Sequence, residues 1–376
     1  IFTVDGMADA AFPALSPLPL TLPGSPTIAS RVEAMRRSAD GTADAAFSLF
    51  LTSGTTGATP KLVCQPHRTM TWRHHQPDWW AAADQVVYRL HGAFFQPRPL
   101  AEIFCYGATM FLSRPKDPAQ MEAEMVACGA TAILTNVPTA RLLAEQATSP
   151  PPGLAIRVVR TGAMALPAPI RHAAAQRYGA AVLEEYASTE GGQMLGTPRA
   201  GAPDGSIGIP NPGVGARIVD EHGTDVPEGE MGELIVQSPG LMLGYLDDTE
   251  ATVATLRDGW LWTGDLARRD ADGYYFLEGR RALRINVGGH KVAPEAVEAV
   301  LAPHPAVREV VVLAAPNRLR GEVVRAIIVP RGEQPTVAEL RRFCRARLAT
   351  YQVPRIWEFR DTLPRSPLGK VLRRLL

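Results

Sequence analysis

The sequence is short of three features that would assign a protein to a special class. Cysteine is rare, with 4 residues and no C-x-x-C pair, so neither a disulfide framework nor a cysteine zinc site is predicted. The longest apolar runs are far shorter than the roughly 20 residues that a membrane span needs. The formal net charge of +1 provides no bulk attraction for nucleic acid or an anionic membrane. We therefore expect a globular, cytoplasmic protein without a membrane span or a nucleic-acid partner.

From about residue 47 onward, short apolar runs alternate with longer amphipathic stretches. This alternation predicts an α/β fold with a partly parallel sheet. Between Gly201 and Gly244, short strands punctuated by glycine and proline predict antiparallel β-structure appended to the α/β body. The elements predicted over this part are strands at Ala132–Thr135, Ile156–Arg160, Ala180–Leu183, Ala216–Val219 and Glu233–Gln237, and a helix at Pro167–Tyr178.

The pattern changes again after Gly279. Helices are predicted at Pro294–Leu301 and Thr336–Leu348, and strands at Glu309–Leu313 and Val323–Val329. Thr336 and Glu339 have the spacing of a capping box at the start of the second helix. We therefore expect two domains, a large α/β domain over residues 1–279 and a small, mobile α+β domain over residues 280–376.

The strongest local signal is a loop rich in glycine and hydroxyl residues that follows an apolar segment. Backbone amides and hydroxyl groups in such a loop donate to phosphate oxygens, and a lysine at its end would meet the β- and γ-phosphates. The loop is not a Walker A motif, because its lysine lacks the flanking glycine and hydroxyl residue. A surface turn is the alternative. The residues concerned are Thr52, Ser53, Gly54, Thr55, Thr56, Gly57 and Lys61.

Further segments follow this loop in a fixed order. They are TGAM at 161–164, YASTE at 186–190, WTGD at 262–265, GR at 279–280, INVGGHK at 285–291 and PRSPLGK at 364–370. Together with the loop, they resemble the adenylate-forming superfamily, which contains acyl- and aryl-CoA ligases, the adenylation domains of peptide synthetases and beetle luciferases. The resemblance extends from about residue 47 to the last residue.

The resemblance implies a binding site for ATP and Mg²⁺. It implies that Thr189 binds a phosphate oxygen, that Glu190 holds Mg²⁺, and that Tyr186 flanks the adenine. A carboxylate is a hard oxygen ligand that suits Mg²⁺, although Glu190 taken alone could equally be a solvated loop residue. The backbone of Gly162, Ala163 and Met164 is implied to pass along the adenine; a plain glycine turn is the alternative.

Other residues are implied to bind the ribose or to act in catalysis. Asp265, otherwise a turn former, is implied to accept hydrogen bonds from both ribose hydroxyls, and Arg280 to contact the same ribose. Lys370 is implied to bridge the substrate carboxylate and the α-phosphate; without the resemblance it is part of a basic tail. Gly288 and Gly289 lie in the loop implied to reach the large domain during thioester formation. His91 is implied to line the acyl pocket, with a packed or surface histidine as the alternative.

The implied reaction activates an aryl or fatty carboxylic acid as its acyl-AMP and releases pyrophosphate. The acyl group then passes to coenzyme A or to the phosphopantetheine of an acyl carrier protein. Two alternatives stay open: a stand-alone adenylation domain that loads a carrier protein, and a nucleotide-binding module without catalysis.

Three departures from the superfamily pattern motivate the second alternative. One extra residue lies between Gly57 and Lys61, and Ala282 stands where the hinge usually has Asp or Lys. The segment before Thr52 is shorter than usual, so we expect a missing or shortened N-terminal subdomain. Either the sequence is a fragment, or it is a compact branch in which a homodimer is one way to cover the exposed face.

Overall fold

The computed structural model describes residues 46–51, 61–71, 85–90, 108–113, 117–162, 164–198, 201–365 and 371–376. The strands of the large domain are β1 (Ala46–Leu51), β2 (Leu62–Pro66), β3 (Val86–Leu90), β4 (Thr109–Ser113), β5 (Ala132–Asn136), β6 (Val158–Gly162), β7 (Ala181–Ser188), β8 (Gly192–Gly196), β9 (Ser206–Pro210), β10 (Gly215–Val219), β11 (Gly232–Gln237), β12 (Gly244–Tyr245), β13 (Leu256–Arg257), β14 (Trp260–Arg269) and β15 (Tyr275–Arg280). Its helices are α1 (Arg68–Thr71), α2 (Pro118–Ala127), α3 (Val137–Ala144), α4 (Ala168–Tyr178) and α5 (Thr249–Thr255).

The small domain follows the last of these strands. It contains β16 (Ile285–Val287), β17 (His290–Val292), α6 (Pro294–Leu301), β18 (Val307–Asn317), β19 (Gly321–Pro330), α7 (Val337–Arg345) and β20 (Ile356–Phe359). Short 3₁₀ helices lie at Arg281–Leu283 and Arg373–Leu375.

A parallel sheet lies at the centre of the large domain. Its strands have the order β7-β6-β5-β3-β4, and every neighbouring pair is parallel. Helix α3 begins directly after β5, where the Asn136 side chain accepts a hydrogen bond from the amide of Thr139 at 2.9 Å and so caps the helix. Helix α4 ends at Gly179, whose φ of +59° lets the chain turn back into β7. The carboxyl ends of the parallel strands lie at one edge, where such sheets bind ligands.

The sheet continues beyond β7 as antiparallel structure. Strands β8, β9, β15, β14, β11 and β10 follow in that order, which confirms the predicted antiparallel structure between residues 201 and 244. It begins earlier than predicted, at β8, and continues through β15. A core that includes Met194, Leu195, Leu234 and Leu261 fills this part of the domain. A separate sheet of β1, β2 and β12 places Lys61 beside β12.

The small domain has its own hydrophobic core. Strands β17, β16, β19 and β18 are antiparallel, and β20 joins β19 in parallel. Val297 and Leu301 of α6 pack with Leu340 and Cys344 of α7 against this sheet. The structure therefore has a large α/β domain with antiparallel extension and a small α+β domain, as predicted.

Most predicted elements are found, with shifted ends. Helix α6 has the predicted bounds. Thr336 is the N-cap of α7 and not its first helical residue, and it accepts a hydrogen bond from the amide of Glu339 at 3.2 Å. Helix α7 ends at Arg345, short of the predicted residue 348, and β7 continues five residues past the predicted Leu183. In the described part of the chain, no helix is long and apolar enough to cross a membrane.

Candidate active site

Three predicted ribose and adenine residues meet in one cluster. The ladder between β14 and β15 places Asp265 opposite Arg280. Arg280 Nε donates to Asp265 Oδ1 at 2.7 Å, and the hydroxyl of Tyr186 on β7 donates to Asp265 Oδ2 at 2.6 Å. Because Asp265 is only 7% exposed, these contacts fix the orientation of its carboxylate. A carboxylate accepts several hydrogen bonds at its two oxygens, a chemistry that suits hydroxyl donors.

The Tyr186 hydroxyl stays protonated in this cluster. Burial, and next the negative charge of Asp265, hold the pKa of Tyr186 well above its ordinary value. The hydroxyl is therefore a permanent donor to Asp265. Its position lets the ring flank a base while the oxygen orients the carboxylate.

Asp265 lies in a bulge that the neighbouring strand supports. Glu233 pairs with Leu266, whereas Ile235 pairs with Trp262, so β14 has two more residues than β11 over the same stretch. The Thr263 hydroxyl donates to the carbonyl of Leu234 at 2.6 Å, and the Thr263 hydroxyl oxygen accepts a hydrogen bond from the amide of Asp265 at 3.1 Å. These bonds replace ladder bonds that the bulge loses and hold Asp265 at the strand edge.

Lys61 and Glu190 lie on either side of one aromatic residue. The hydroxyl of Tyr245 on β12 donates to Glu190 Oε1 at 3.1 Å. The ammonium of Lys61 is 4.7 Å from the centre of the Tyr245 ring and 3.5 Å from Asp248 Oδ2. Burial, followed by the charge of Glu190, raises the pKa of Tyr245, so its hydroxyl also remains a donor. The structure thus brings the lysine of the predicted phosphate loop to the predicted Mg²⁺ ligand.

Backbone contacts fix the segment that carries Thr189 and Glu190. Gln65 Nε2 donates to the carbonyl of Thr189 at 2.5 Å, and the amide of Met242 donates to the carbonyl of Glu190 at 2.7 Å. Glu190 Oε2 has no hydrogen-bond partner among the residues that the structure describes. That oxygen can bind a cation, and Mg²⁺ commonly takes one or two carboxylates together with substrate phosphates. The described residues contain no group of three or more His, Cys, Asp or Glu that could form a full metal cage.

The predicted adenine segment begins at the carboxyl end of β6. Gly162 pairs with Glu185 of β7, and a β-carbon at Gly162 would lie 3.4 Å from the carbonyl oxygen of Glu185. The side chain of Met164 packs against Val137, Leu166 and Ile170, so only its backbone remains for the predicted role. Gly162 and Tyr186 lie on the adjacent strands β6 and β7, so both can line one binding site at the edge of the sheet.

The loop predicted to reach the large domain during thioester formation lies at the surface of the small domain. Gly288 and Gly289 form the turn between β16 and β17 with φ angles of +58° and +93°. The amide of Gly289 donates to Asn286 Oδ1 at 3.0 Å, and that of Gly288 to the carbonyl of Arg320 at 2.9 Å. Both glycines are exposed, so they are available to a partner or to the large domain.

Several predicted site residues lie outside the described residues. They are Thr52, Ser53, Gly54, Thr55, Thr56, Gly57, His91, Ala163 and Lys370. Their roles remain predictions.

Comparison with known proteins finds two family profiles along the chain. The family profile of AMP-binding enzymes matches residues 14–246, and the profile of the AMP-binding enzyme C-terminal domain matches residues 296–370. The chain belongs to the AMP-binding enzyme family. The resemblance to the adenylate-forming superfamily is thereby confirmed.

Relatives of this AMP-binding enzyme include ligases. A long-chain-fatty-acid–CoA ligase of Yersinia pestis is 35% identical over 356 residues, which cover 89% of this chain and 61% of that protein. A fatty acid–[acyl-carrier-protein] ligase of Streptomyces coeruleorubidus is 41% identical over 184 residues, which cover 48% of this chain and 36% of that protein. The chain therefore spans about three fifths or less of the length of these two relatives.

A solved structure shows the same fold. The ATP-bound MatB of Rhodopseudomonas palustris superimposes with a TM-score of 0.81 at 28% identity, covering 89% of this chain and 68% of that one. MatB is thus similar over both domains of this AMP-binding enzyme.

Sequence reasoning missed the residues that support the site. Gln65, Glu233 and Tyr245 contact the predicted residues from distant parts of the chain. Glu233 had a usable signal, because a carboxylate inside the apolar strand β11 must be paired when it is buried. Gln65 and Tyr245 have no comparable local signal.

Proposed function

We propose that the protein activates a carboxylic acid with ATP as an acyl-AMP, releases pyrophosphate, and transfers the acyl group to the thiol of coenzyme A. The observation that carries the proposal is the Asp265 carboxylate, oriented by Tyr186 and Arg280 at the carboxyl edge of the sheet. A buried carboxylate held in one orientation is suited to accept hydrogen bonds from a ribose diol. The ATP-bound relative and the CoA ligase relative support the choice of nucleotide and acceptor.

Each of the proposed residues has its own role in the first half-reaction. Asp265 and Arg280 hold the ribose, Lys61 and residues 52–57 hold the phosphates, and Glu190 with Thr189 holds the Mg²⁺ and a phosphate oxygen. Bound Mg²⁺ would withdraw negative charge from the phosphate oxygens. Lys370 supplies a positive charge between the attacking carboxylate and the α-phosphate. Attack by the carboxylate oxygen forms the acyl–phosphate bond and expels pyrophosphate.

The second half-reaction needs a different group at the same place. The domain boundary is proposed at residues 279/280, and rotation there would bring the loop of Gly288 and Gly289 to the acyl-AMP. The thiolate of coenzyme A then attacks the acyl carbon and expels AMP. The glycine turn would leave room for the pantetheine arm, since a side chain is absent at both positions.

The substrate is proposed to be a fatty acid, with an aryl acid as the competitor, and His91 to line its pocket. The carrier-protein ligase among the relatives supports a second acceptor, the phosphopantetheine of an acyl carrier protein. We place the reaction in the cytoplasm, where all three small substrates occur.

Measurement of ATP–pyrophosphate exchange against fatty and aryl acids tests the proposal. We expect exchange with one acid class and its loss in Lys370→Ala, because removal of the cation leaves the developing charge without stabilisation. Arg374→Ala, a nearby change in the same basic tail, is the control and should keep exchange. A protein that binds ATP but exchanges with no acid would leave the alternative of a nucleotide-binding module without catalysis. Saturation with holo carrier protein instead of free coenzyme A would identify the carrier as the acceptor.

A further inference from the structure

One buried carboxylate connects the nucleotide-binding bulge to the hinge. Glu233 lies on β11 and is 7% exposed. Its Oε1 accepts a hydrogen bond from the amide of Gly264 at 3.1 Å, and its Oε2 accepts one from Arg281 Nη1 at 2.8 Å. Gly264 precedes Asp265 in the bulge, whereas Arg281 follows the last residue of β15. The two carboxylate oxygens of Glu233 therefore contact the bulge and the hinge, respectively.

On the bulge side, Glu233 supplies an acceptor that the strand pairing does not. Gly264 adopts a φ of +72°, and its amide points away from the ladder. A buried amide without an acceptor would be costly, so the carboxylate fixes the path of the chain into Asp265. Any shift of Glu233 is passed to the carboxylate that is proposed to hold the ribose.

On the hinge side, two successive arginines form ion pairs at the same bulge. Arg280 pairs with Asp265, and Arg281 pairs with Glu233. Arg281 is the first residue of the 3₁₀ helix that leads into the small domain. A rotation about the N–Cα bond of Arg281, or at the residues just before it, changes the direction of the Arg281 side chain relative to β11, whereas a rotation at Ala282 moves only the residues that follow. A hinge motion that includes Arg281 therefore breaks the Arg281–Glu233 ion pair.

We propose that Glu233 is a positioning residue that couples the ribose-binding bulge to the orientation of the small domain through Arg281. With Arg281 in place, both carboxylate oxygens are occupied and the present arrangement of the domains is stabilised. When the small domain rotates, the Arg281 side chain moves away from Glu233, and Glu233 keeps its hydrogen bond with the amide of Gly264. This inference rests on the proposed function, in which the two half-reactions use different orientations.

The expected effect is moderate because the pair is partly solvated. The Glu233 side chain is 8% exposed, but that of Arg281 is 56% exposed. Ion pairs with one exposed partner contribute less than buried ones, so we expect a change of roughly 3- to 10-fold in the ratio of the two half-reaction rates.

Four variants separate the two contacts. Arg281→Ala removes the hinge contact and keeps the bond to Gly264. Arg281→Lys keeps the charge and should restore most of the effect. Glu233→Gln keeps the shape but offers one acceptor oxygen to two donors. Arg342→Ala, an exposed arginine of α7 in the same small domain, is the matched control.

The half-reactions are measured separately in the full chain. Adenylation is followed by pyrophosphate exchange with dodecanoic acid, and transfer by the reaction of dodecanoyl-AMP with coenzyme A. We expect Arg281→Ala to change the ratio of the two rates with the KM for ATP within about twofold of wild type. Glu233→Gln should change the ratio and also raise the KM for ATP. A ratio in Arg281→Ala equal to that in Arg342→Ala would overturn the proposal, as would additive effects in the Glu233→Gln/Arg281→Ala double variant.

Hydrogen exchange provides a readout that does not need activity. We expect faster amide exchange in peptides covering residues 281–284 of Arg281→Ala than in those of Arg342→Ala, and faster exchange over residues 263–265 in Glu233→Gln. Wild-type exchange in both variants would overturn the coupling. If the hinge loosens as expected while the wild type catalyses neither half-reaction, the proposed function fails and the contact between bulge and hinge stands.

Discussion

Tyr186→Phe is the most direct test of the ribose site. The substitution removes one hydroxyl and leaves the ring, so any effect must come from the 2.6 Å hydrogen bond to Asp265 Oδ2. Without that bond, Oδ2 retains a 3.4 Å contact with Arg280 Nη2. The carboxylate is then free to turn toward the arginine and away from a bound ribose.

The size of the effect follows from the charge of the acceptor. A hydrogen bond to an ionised group contributes about 1.5–3 kcal/mol, and about 1.4 kcal/mol corresponds to a tenfold change in binding. We therefore expect the KM for ATP to rise roughly 10- to 100-fold with little change in kcat. The raised pKa of Tyr186 keeps its hydroxyl protonated, so the effect should be the same from about pH 6 to pH 9.

Tyr275→Phe is the matched control for this variant. The Tyr275 hydroxyl donates to the uncharged carbonyl of Ala216 at 3.0 Å, away from the cluster. We expect it to lower the free energy of unfolding by about 1 kcal/mol and to leave the KM for ATP unchanged. Initial-rate pyrophosphate exchange at varied ATP measures both variants. If the two variants have the same KM for ATP, Asp265 is not the ribose site.

Three further predictions concern the metal, the hinge and the small domain. Glu190→Gln should raise the Mg²⁺ concentration needed for half-maximal exchange by at least about tenfold, because an amide is a weaker ligand than a carboxylate; an unchanged requirement contradicts the assignment. Gly279→Ala should lower the free energy of unfolding in urea by about 1–3 kcal/mol, since φ is +122° and the added β-carbon would lie 2.5 Å from Glu295 Oε2. Gly273→Ala, with φ of +84° and open space, reports the backbone strain alone. Burial raises the pKa of Glu295 above its ordinary value, so its contribution to stability is complete below pH 4.5 and is lost as the pH rises through the folded-state pKa. Glu295→Gln should therefore gain stability over wild type as the pH rises from 4.5. Arg325 and Arg360 lower the pKa of Glu358, so its contribution to stability is present above pH 4.5 and is lost as the pH falls through the folded-state pKa; Glu358→Gln should therefore lose stability relative to wild type as the pH rises toward 4.5.

Sequence pattern predicted the elements wherever local features define them. Helix α6 was predicted with its bounds because proline begins it and apolar residues recur at helical spacing. The predicted strand ended at Leu183, before Glu184 and Glu185. In the structure, Arg171 pairs with Glu184 at 2.7 Å and Arg160 with Glu185 at 2.8 Å, so the strand continues. Those partners lie on α4 and β6, which no local pattern connects to β7.

Only those residues of the candidate site that lie in recognisable sequence motifs could be predicted. Asp265 and Tyr186 were identified because each lies in a short recognisable segment. Their contact joins residues 79 positions apart and depends on the sheet order, in which β9 and β15 separate β8 from β14. Glu233 was predicted as part of a strand without a role, because its two partners are defined by the bulge of β14 and by the hinge.

The net charge of the whole chain does not show how the charges are divided between the two domains. The net charge of +1 provides no bulk argument for nucleic acid, and the charges are unevenly divided between the two domains. Residues 280–376 hold about half of the Lys and Arg residues and about a fifth of the Asp and Glu residues. The small domain is therefore positive and the large domain negative, so each orientation of the two is favoured by general attraction. General attraction does not select one orientation. A specific pair such as Arg281–Glu233 can do so, because it requires one backbone geometry at Arg281.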